Sequence, residues 1–301
     1  MIPPTELREI IRHGLLSFPV TPFDAQDNFA AKPFQAHLEW LAQYPVAGLI
    51  VAGGTGEMFS LAPSEIVDVV RATKAVAGNA PVIAGCGYGV RVACDLAREI
   101  EAAGGDGILL LPHYLTEAPQ EGVVERVRQV CRATNMGVIF YNRGQSQISA
   151  ESLAKLVEEC PNLIGFKDGT GDIDTVRRVT ALLGDRLSYI GGMPTHELFA
   201  QAYRGAGMAT YSSAVFNFVP ETALAFHGAF KVGDDKACEA LLRDFYYPFA
   251  KIRDRKAGYA VAAVKAGVAL RGFETGHVRA PLTDLTEEEV AMMRDLIASR
   301  S

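Results

Sequence analysis

Cysteine is sparse and unpaired in this sequence. Cys86, Cys94, Cys131, Cys160 and Cys238 are an odd number, widely scattered and without a CxxC spacing, so they build neither a disulfide framework nor a zinc site. That usage fits a reducing, cytoplasmic setting. No apolar run approaches the ~18 residues that span a bilayer. The opening MIPPTELREIIRHG has neither the basic start nor the unbroken apolar core of an export signal, so a soluble, unexported protein is expected. Like charges are not clustered: a net charge of -6 arises from dispersed residues, which argues against a nucleic-acid footprint or a membrane-surface helix. Any anionic substrate must therefore be held by local donors. The six histidines, His13, His37, His113, His196, His227 and His277, show no metal-ligand spacing, and no metal is expected. GGTGEMF lacks the GK[ST] ending of a P-loop, and no GxGxxG follows the first strand, so no nucleotide cofactor is expected either. Low-complexity segments, short internal repeats and obvious linkers are also missing.

What is present is a chain of 301 residues, 49% hydrophobic, enough for one large domain. Eight short aliphatic runs recur at 15–21, 48–52, 81–86, 107–111, 137–142, 163–168, 188–191 and 208–213. Most are continuously apolar, as parallel strands covered on both faces should be. Between them lies helix punctuation: Pro33 and Pro63 suit first turns, and Gly78, Gly104, Gly184 and Gly205 sit where helices should stop. Strict alternation of strand and helix eight times over predicts an α/β fold, a closed (β/α)8 or TIM barrel, although an open doubly wound sheet has similar local patterns. After Pro220 the pattern is helical only. The expected organisation is a single domain, 1–301, with the barrel at 1–232 and a C-terminal helical extension at 233–301.

In such barrels reacting groups lie at the carboxyl ends of strands. Those ends are polar here: GGTGE at 53–57, YNR at 141–143, FKDGTGD at 166–172 and YSS at 211–213. Lys167 closes an apolar run, where an ammonium is costly to bury unless it is paired or loses its proton. Either it is a nucleophilic amine or it pairs with Asp168 or Asp172. Tyr141, at the end of the neighbouring strand, is a candidate proton shuttle or a buried tyrosine with a satisfied hydroxyl. GGTGE, with Gly54 and Thr55, offers backbone N–H groups suited to a carboxylate, or is a glycine-rich packing turn. Arg143 can pair with a substrate carboxylate or form a surface ion pair. Asn142, Ser212 and Ser213 complete the candidates, and Asp172 is expected to cap the helix starting at Ile173.

Taken together, these residues resemble the dihydrodipicolinate synthase and N-acetylneuraminate lyase family. The likeness rests on PVTPF at 19–23, G-x-TGE at 53–57, LPHY at 111–114, YN at 141–142, GFKD at 165–168 and S-x-x-x-N at 213–217. It implies that Lys167 forms a Schiff base, that Tyr141 is the general acid/base, and that Thr55 and nearby amides hold a keto acid's carboxylate. It also implies a homotetramer, with Tyr114 as a possible contact to a neighbouring site. Three departures stand out. Gly54 replaces a hydroxyl residue of the family's proton relay, Gly144 replaces a frequent proline, and Ser146 stands where the synthase has an arginine for its second substrate. Synthase chemistry is therefore not expected. The runs LLSFPVTPFD, GGTGEMFSL and FYNRG resemble the branch that dehydrates and decarboxylates a keto-deoxy sugar diacid, with no metal or organic cofactor. The alternatives are an aldolase or non-decarboxylating dehydratase of another 2-keto-3-deoxy acid, and a catalytically silent keto-acid-binding regulatory barrel.

Overall fold

The computed structural model describes residues 1–113 and 116–300. Eight parallel strands, β1 (Leu16–Ser17), β2 (Gly48–Val51), β3 (Val82–Cys86), β4 (Gly107–Leu110), β5 (Gly137–Asn142), β6 (Leu163–Asp168), β7 (Ser188–Gly191) and β8 (Thr210–Ser213), close in sequence order into a barrel. The predicted (β/α)8 barrel is thus the observed fold. β1 is much shorter than the run at 15–21, because Pro19 has no N–H to give a ladder.

A helix follows each strand: α2 (Ala31–Leu41), α3 (Pro63–Lys74), α4 (Val90–Ala102), α5 (Gln120–Ala133), α6 (Ala150–Glu159), α7 (Ile173–Leu183), α8 (Ala200–Gly205) and α9 (Pro220–Val232). Pro63 opens α3, and Asp172 caps α7 by accepting from the Thr175 amide at 3.1 Å. Gly205 is the last residue of α8 rather than its stop; the left-handed turn falls at Gly207, φ +99°. The short helix α1 (Pro4–Ile11) precedes the barrel, and its i, i+4 pair Leu7 and Ile11 plugs the barrel floor against Leu16, Ile50, Ile83, Leu109, Ile139, Ile164 and Ile190. A larger shell of apolar residues fills the space between sheet and helices.

Beyond α9 come α10 (Asp235–Leu241), a π-helical turn (Leu242–Tyr246), α11 (Tyr247–Arg253), α12 (Tyr259–Leu270) and α13 (Glu287–Ala298). This extension is bonded to the rim of the barrel. Lys265 on α12 is buried and pairs at 2.7 Å with the buried carboxylate of Glu57, while also donating to the His277 carbonyl at 2.7 Å. The Arg279 amide donates to the second Glu57 oxygen at 3.0 Å, and its guanidinium reaches Glu65 and the Ser60 carbonyl. Among the described residues no helix is long and apolar enough to cross a membrane, and no three His, Cys, Asp or Glu side chains gather as a metal site.

Candidate active site

At the carboxyl ends of the strands lies a chamber of about 460 Å³, within the size range of small-molecule sites. Lys167 and Tyr141 face each other across β5 and β6 in direct register. The inward direction of Lys167 depends on a bulge. Val138 pairs with Leu163, but Ile139 pairs with Gly165, so β6 carries one extra residue. Ile164 packs inside the barrel, Phe166 packs outside, and Lys167 returns to the inside. Without that extra residue, the period of two running from Ile164 would have sent Lys167 out to the helices.

Lys167 is 2% exposed, and among the described residues its ammonium has no carboxylate partner: Nζ donates to Ser212 Oγ at 3.1 Å and lies 4.4 Å and 4.9 Å from the ring centres of Tyr141 and Phe18. Burial, followed by the nearby Arg143 guanidinium, pushes its pKa down to about 7. The pairing with Asp168 considered from sequence is not formed as a contact. That carboxylate points out of the barrel, where it accepts from Asn142 Nδ2 at 2.7 Å, Thr170 Oγ1 at 2.9 Å and the Tyr203 hydroxyl at 2.6 Å. Asp172 is likewise engaged elsewhere, on its own helix.

The Tyr141 hydroxyl donates to the Gly192 carbonyl at 2.8 Å and accepts from Arg143 Nη1 at 2.8 Å. Burial raises its pKa while Arg143 opposes the rise. Gly192 is required by close approach: a Cβ there would come within 2.6 Å of Lys167 Nζ. Gly144, in the family's proline position, has φ +56°, which a proline ring cannot adopt. It turns the chain so that Arg143 and Ser146 exchange both backbone hydrogen bonds, holding Arg143 over the chamber.

Gly54 and Thr55 form the opposite wall, and their amides have no acceptor among the described residues. A Cβ on Gly54 would meet nothing within 4 Å. The loop is bounded by two non-glycine residues in left-handed conformation, Ala52 at φ +47° and Glu57 at φ +58°. Strain of this kind clusters at functional sites.

The structure thus brings together Lys167, Tyr141, Gly54, Thr55, Arg143 and Ser212. It does not bring in Asn142 or Ser213. Asn142 faces outward, between Asp168 and the Ile148 amide, and Ser213 donates at 2.6 Å to Glu197, a fully buried carboxyl whose pKa burial raises to about 7. Both are second residues of inward–outward pairs, a strand alternation that the sequence already carried. Tyr114 lies outside the described residues. Sequence reasoning missed Phe18, Thr195 and Arg253, which also line the chamber. Phe18 sat within a recognised motif, whereas nothing in the sequence marked Thr195 or Arg253.

A closed (β/α)8 barrel with a polar, lysine-bearing mouth is the architecture of an enzyme, and the comparisons place it. The chain belongs to the dihydrodipicolinate synthetase family, which it matches over residues 12–300. It is 58% identical over 294 residues to a probable 5-dehydro-4-deoxyglucarate dehydratase from Cereibacter sphaeroides, covering 98% of both chains. With a protein of the same description from Rhizobium meliloti it shares 57% over 298 residues, 99% of each. Among solved structures, a putative dihydrodipicolinate synthetase from Pseudomonas aeruginosa superposes with a TM-score of 0.86 at 26% identity, covering 96% of this chain and 99% of that one. Dihydrodipicolinate synthase from Bacillus clausii has the same fold, with a TM-score of 0.88 at 23% identity over 98% and 99%.

Proposed function

We propose that this enzyme is a hydro-lyase that converts 5-dehydro-4-deoxy-D-glucarate to 2,5-dioxopentanoate, carbon dioxide and water through a Schiff base on Lys167. The observation that carries the reading is the buried Lys167, bonded to Ser212 Oγ and in register with Tyr141. The near-full-length similarity to proteins described as probable 5-dehydro-4-deoxyglucarate dehydratases supports the choice of substrate.

A neutral Lys167 amine attacks the C5 carbonyl, and loss of water gives the imine. Gly54 and Thr55 hold the adjacent C6 carboxylate on their free amides. The imine acidifies C4, Tyr141 assists removal of a C4 proton, and the C3 hydroxyl leaves as water. The conjugated imine then accepts the electron pair of the C1–C2 bond, releasing C1 as carbon dioxide. Protonation and hydrolysis free the lysine and leave an aldehyde at C2. Arg143 keeps one N–H on Tyr141 and turns the remainder of its fork toward the substrate's second carboxylate. Each step is carried by the imine and by these side chains, so the route calls for no metal or organic cofactor. The family resemblance supports a homotetramer, and the unpaired thiols support a cytoplasmic setting.

The deciding experiment follows 5-keto-4-deoxyglucarate by NMR together with carbon dioxide release. The expected product is 2,5-dioxopentanoate with one equivalent of carbon dioxide. Pyruvate as the main product would make the enzyme an aldolase, an unchanged carbon count would make it a non-decarboxylating dehydratase, and no turnover of any 2-keto-3-deoxy acid would favour a silent binding barrel.

A further inference from the structure

We propose that the C-terminal extension completes the substrate site: Arg253 orients the Thr195 hydroxyl so that it donates a hydrogen bond to the far carboxylate of a six-carbon keto diacid. This rests on the imine at Lys167 proposed above and adds to it a residue pair that fixes substrate length.

The argument starts from donor and acceptor accounting. Arg253, near the end of α11, directs Nε and Nη2 at the carboxylate of Asp254, at 2.7 and 2.9 Å. Its Nη1 points the other way, to the Pro194 carbonyl at 3.1 Å and to Thr195 Oγ1 at 2.6 Å. A guanidinium has donors only, so in the second contact the threonine hydroxyl must be the acceptor. That assignment leaves the hydroxyl's own proton to be donated elsewhere. Thr195 is 6% exposed, and no other described side chain or carbonyl receives that proton. Thr195 and Arg253 both line the chamber, so a substrate bound there is the acceptor we assign to that proton.

The backbone supports the same reading. Thr195 has φ +49° and ψ +65°, a left-handed conformation that is a genuine outlier for a β-branched residue. The carbonyl of Pro194 and the hydroxyl of Thr195 are the two groups that Arg253 Nη1 grips, so the guanidinium stabilises this conformation directly. Three residues upstream, the Gly192 carbonyl holds Tyr141. One loop after β7 therefore touches the proposed proton carrier at one end and carries the oriented hydroxyl at the other. Among the described residues, Arg143, which already spends one N–H on Tyr141, and Arg253 are the two cations besides Lys167 that line the chamber. Arg253 acts as a positioning residue here and Thr195 as the group that meets the substrate.

The test uses borohydride trapping of the whole protein with two keto acids that form imines and cannot be dehydrated: pyruvate, which reaches only the near carboxylate subsite, and 2-oxoadipate, a six-carbon diacid. Thr195→Val should raise the concentration of 2-oxoadipate for half-maximal trapping by about 10-fold or more, the scale of losing a hydrogen bond to a charged group. Pyruvate trapping should stay within about twofold, which also controls for folding. Arg253→Met should match the loss on 2-oxoadipate, the double variant should lose no more than either single one, and Arg253→Lys should recover part of it. Unchanged 2-oxoadipate trapping in Thr195→Val, additive losses in the double variant, or equal losses on pyruvate would each overturn the proposal. So would failure of the unaltered protein to trap any keto acid. If the trapping pattern holds while 5-keto-4-deoxyglucarate is not consumed, the Thr195–Arg253 assignment stands and the substrate proposed above falls.

Discussion

Replacing Arg143 by glutamine isolates the electrostatic part of the Lys167 environment. Only the neutral amine attacks a carbonyl. An ordinary lysine with a pKa of about 10.4 is neutral in roughly 1 molecule in 2,500 at pH 7, whereas Lys167, pushed down to about 7, is neutral in about half. Imine formation should therefore rise with pH to a plateau above a midpoint near 7, not near 10. Burial is the leading cause of that depression and Arg143 the second, so Arg143→Gln should return only part of it. The guanidinium carbon lies 5.8 Å and Lys167 Nζ 4.4 Å from the centre of the same Tyr141 ring; for unit charges placed that way, an effective dielectric of about 20 gives a repulsion of about 2 kcal/mol. Arg143 is solvent-exposed, and screening reduces this to roughly 1 kcal/mol, or about 0.7 of a pH unit. The sign follows directly: without the cation, the protonated amine is less disfavoured and the midpoint moves up. Rapid-quench borohydride trapping with pyruvate between pH 5 and 10, read by intact mass, measures it. The variant should be several-fold slower at about pH 6 and indistinguishable above about pH 9. A midpoint near 10 in the unaltered enzyme, or a downward shift in Arg143→Gln, would refute the reasoning.

Three further outcomes follow from the same geometry. Tyr141→Phe keeps the ring over Lys167 and should slow turnover by about 100-fold or more with unchanged thermal unfolding; near-normal turnover would move proton transfer to another group. Gly192→Ala places a methyl within 2.6 Å of the Lys167 nitrogen and should abolish pyruvate trapping, while circular dichroism still reports a folded barrel. Lys265→Met leaves Glu57 buried without its cation and should cost about 3–5 kcal/mol in urea unfolding at pH 7; a loss below about 1 kcal/mol would show the pair to be dispensable.

Much of the barrel was legible because buried parallel strands read as continuous aliphatic runs, and those at 137–142, 163–168 and 188–191 coincide with β5, β6 and β7. The first run overshot, since apolarity alone does not register that Pro19 ends the ladder. At the site, sequence position said which residues close each strand but not which way they face. Alternation would have rejected Asn142 beside Tyr141 and Ser213 beside Ser212. The same rule, started from Ile164, would have wrongly rejected Lys167, because the β6 bulge is a property of two strands paired and not of one sequence read alone. Thr195 and Arg253 were out of reach for a related reason: they lie 58 positions apart, and their function exists only in the contact between them.

The bond between Glu57 and Lys265 bears on how such an enzyme can be cut and rejoined. Glu57 follows directly on the loop whose Gly54 and Thr55 line the chamber and are proposed to hold the substrate, yet its counterion and its amide donor come from Lys265 and Arg279, more than 200 residues downstream. A chimera that joined this barrel to the tail of a distant relative, or a truncation after α9, would keep every residue assigned here to bond making and breaking. It would nevertheless leave an uncompensated charge beside the loop meant to hold the substrate. In recombination experiments the smallest exchangeable unit of this protein is therefore the barrel rim together with α12 and the segment that carries Arg279, even though these pieces lie at opposite ends of the chain.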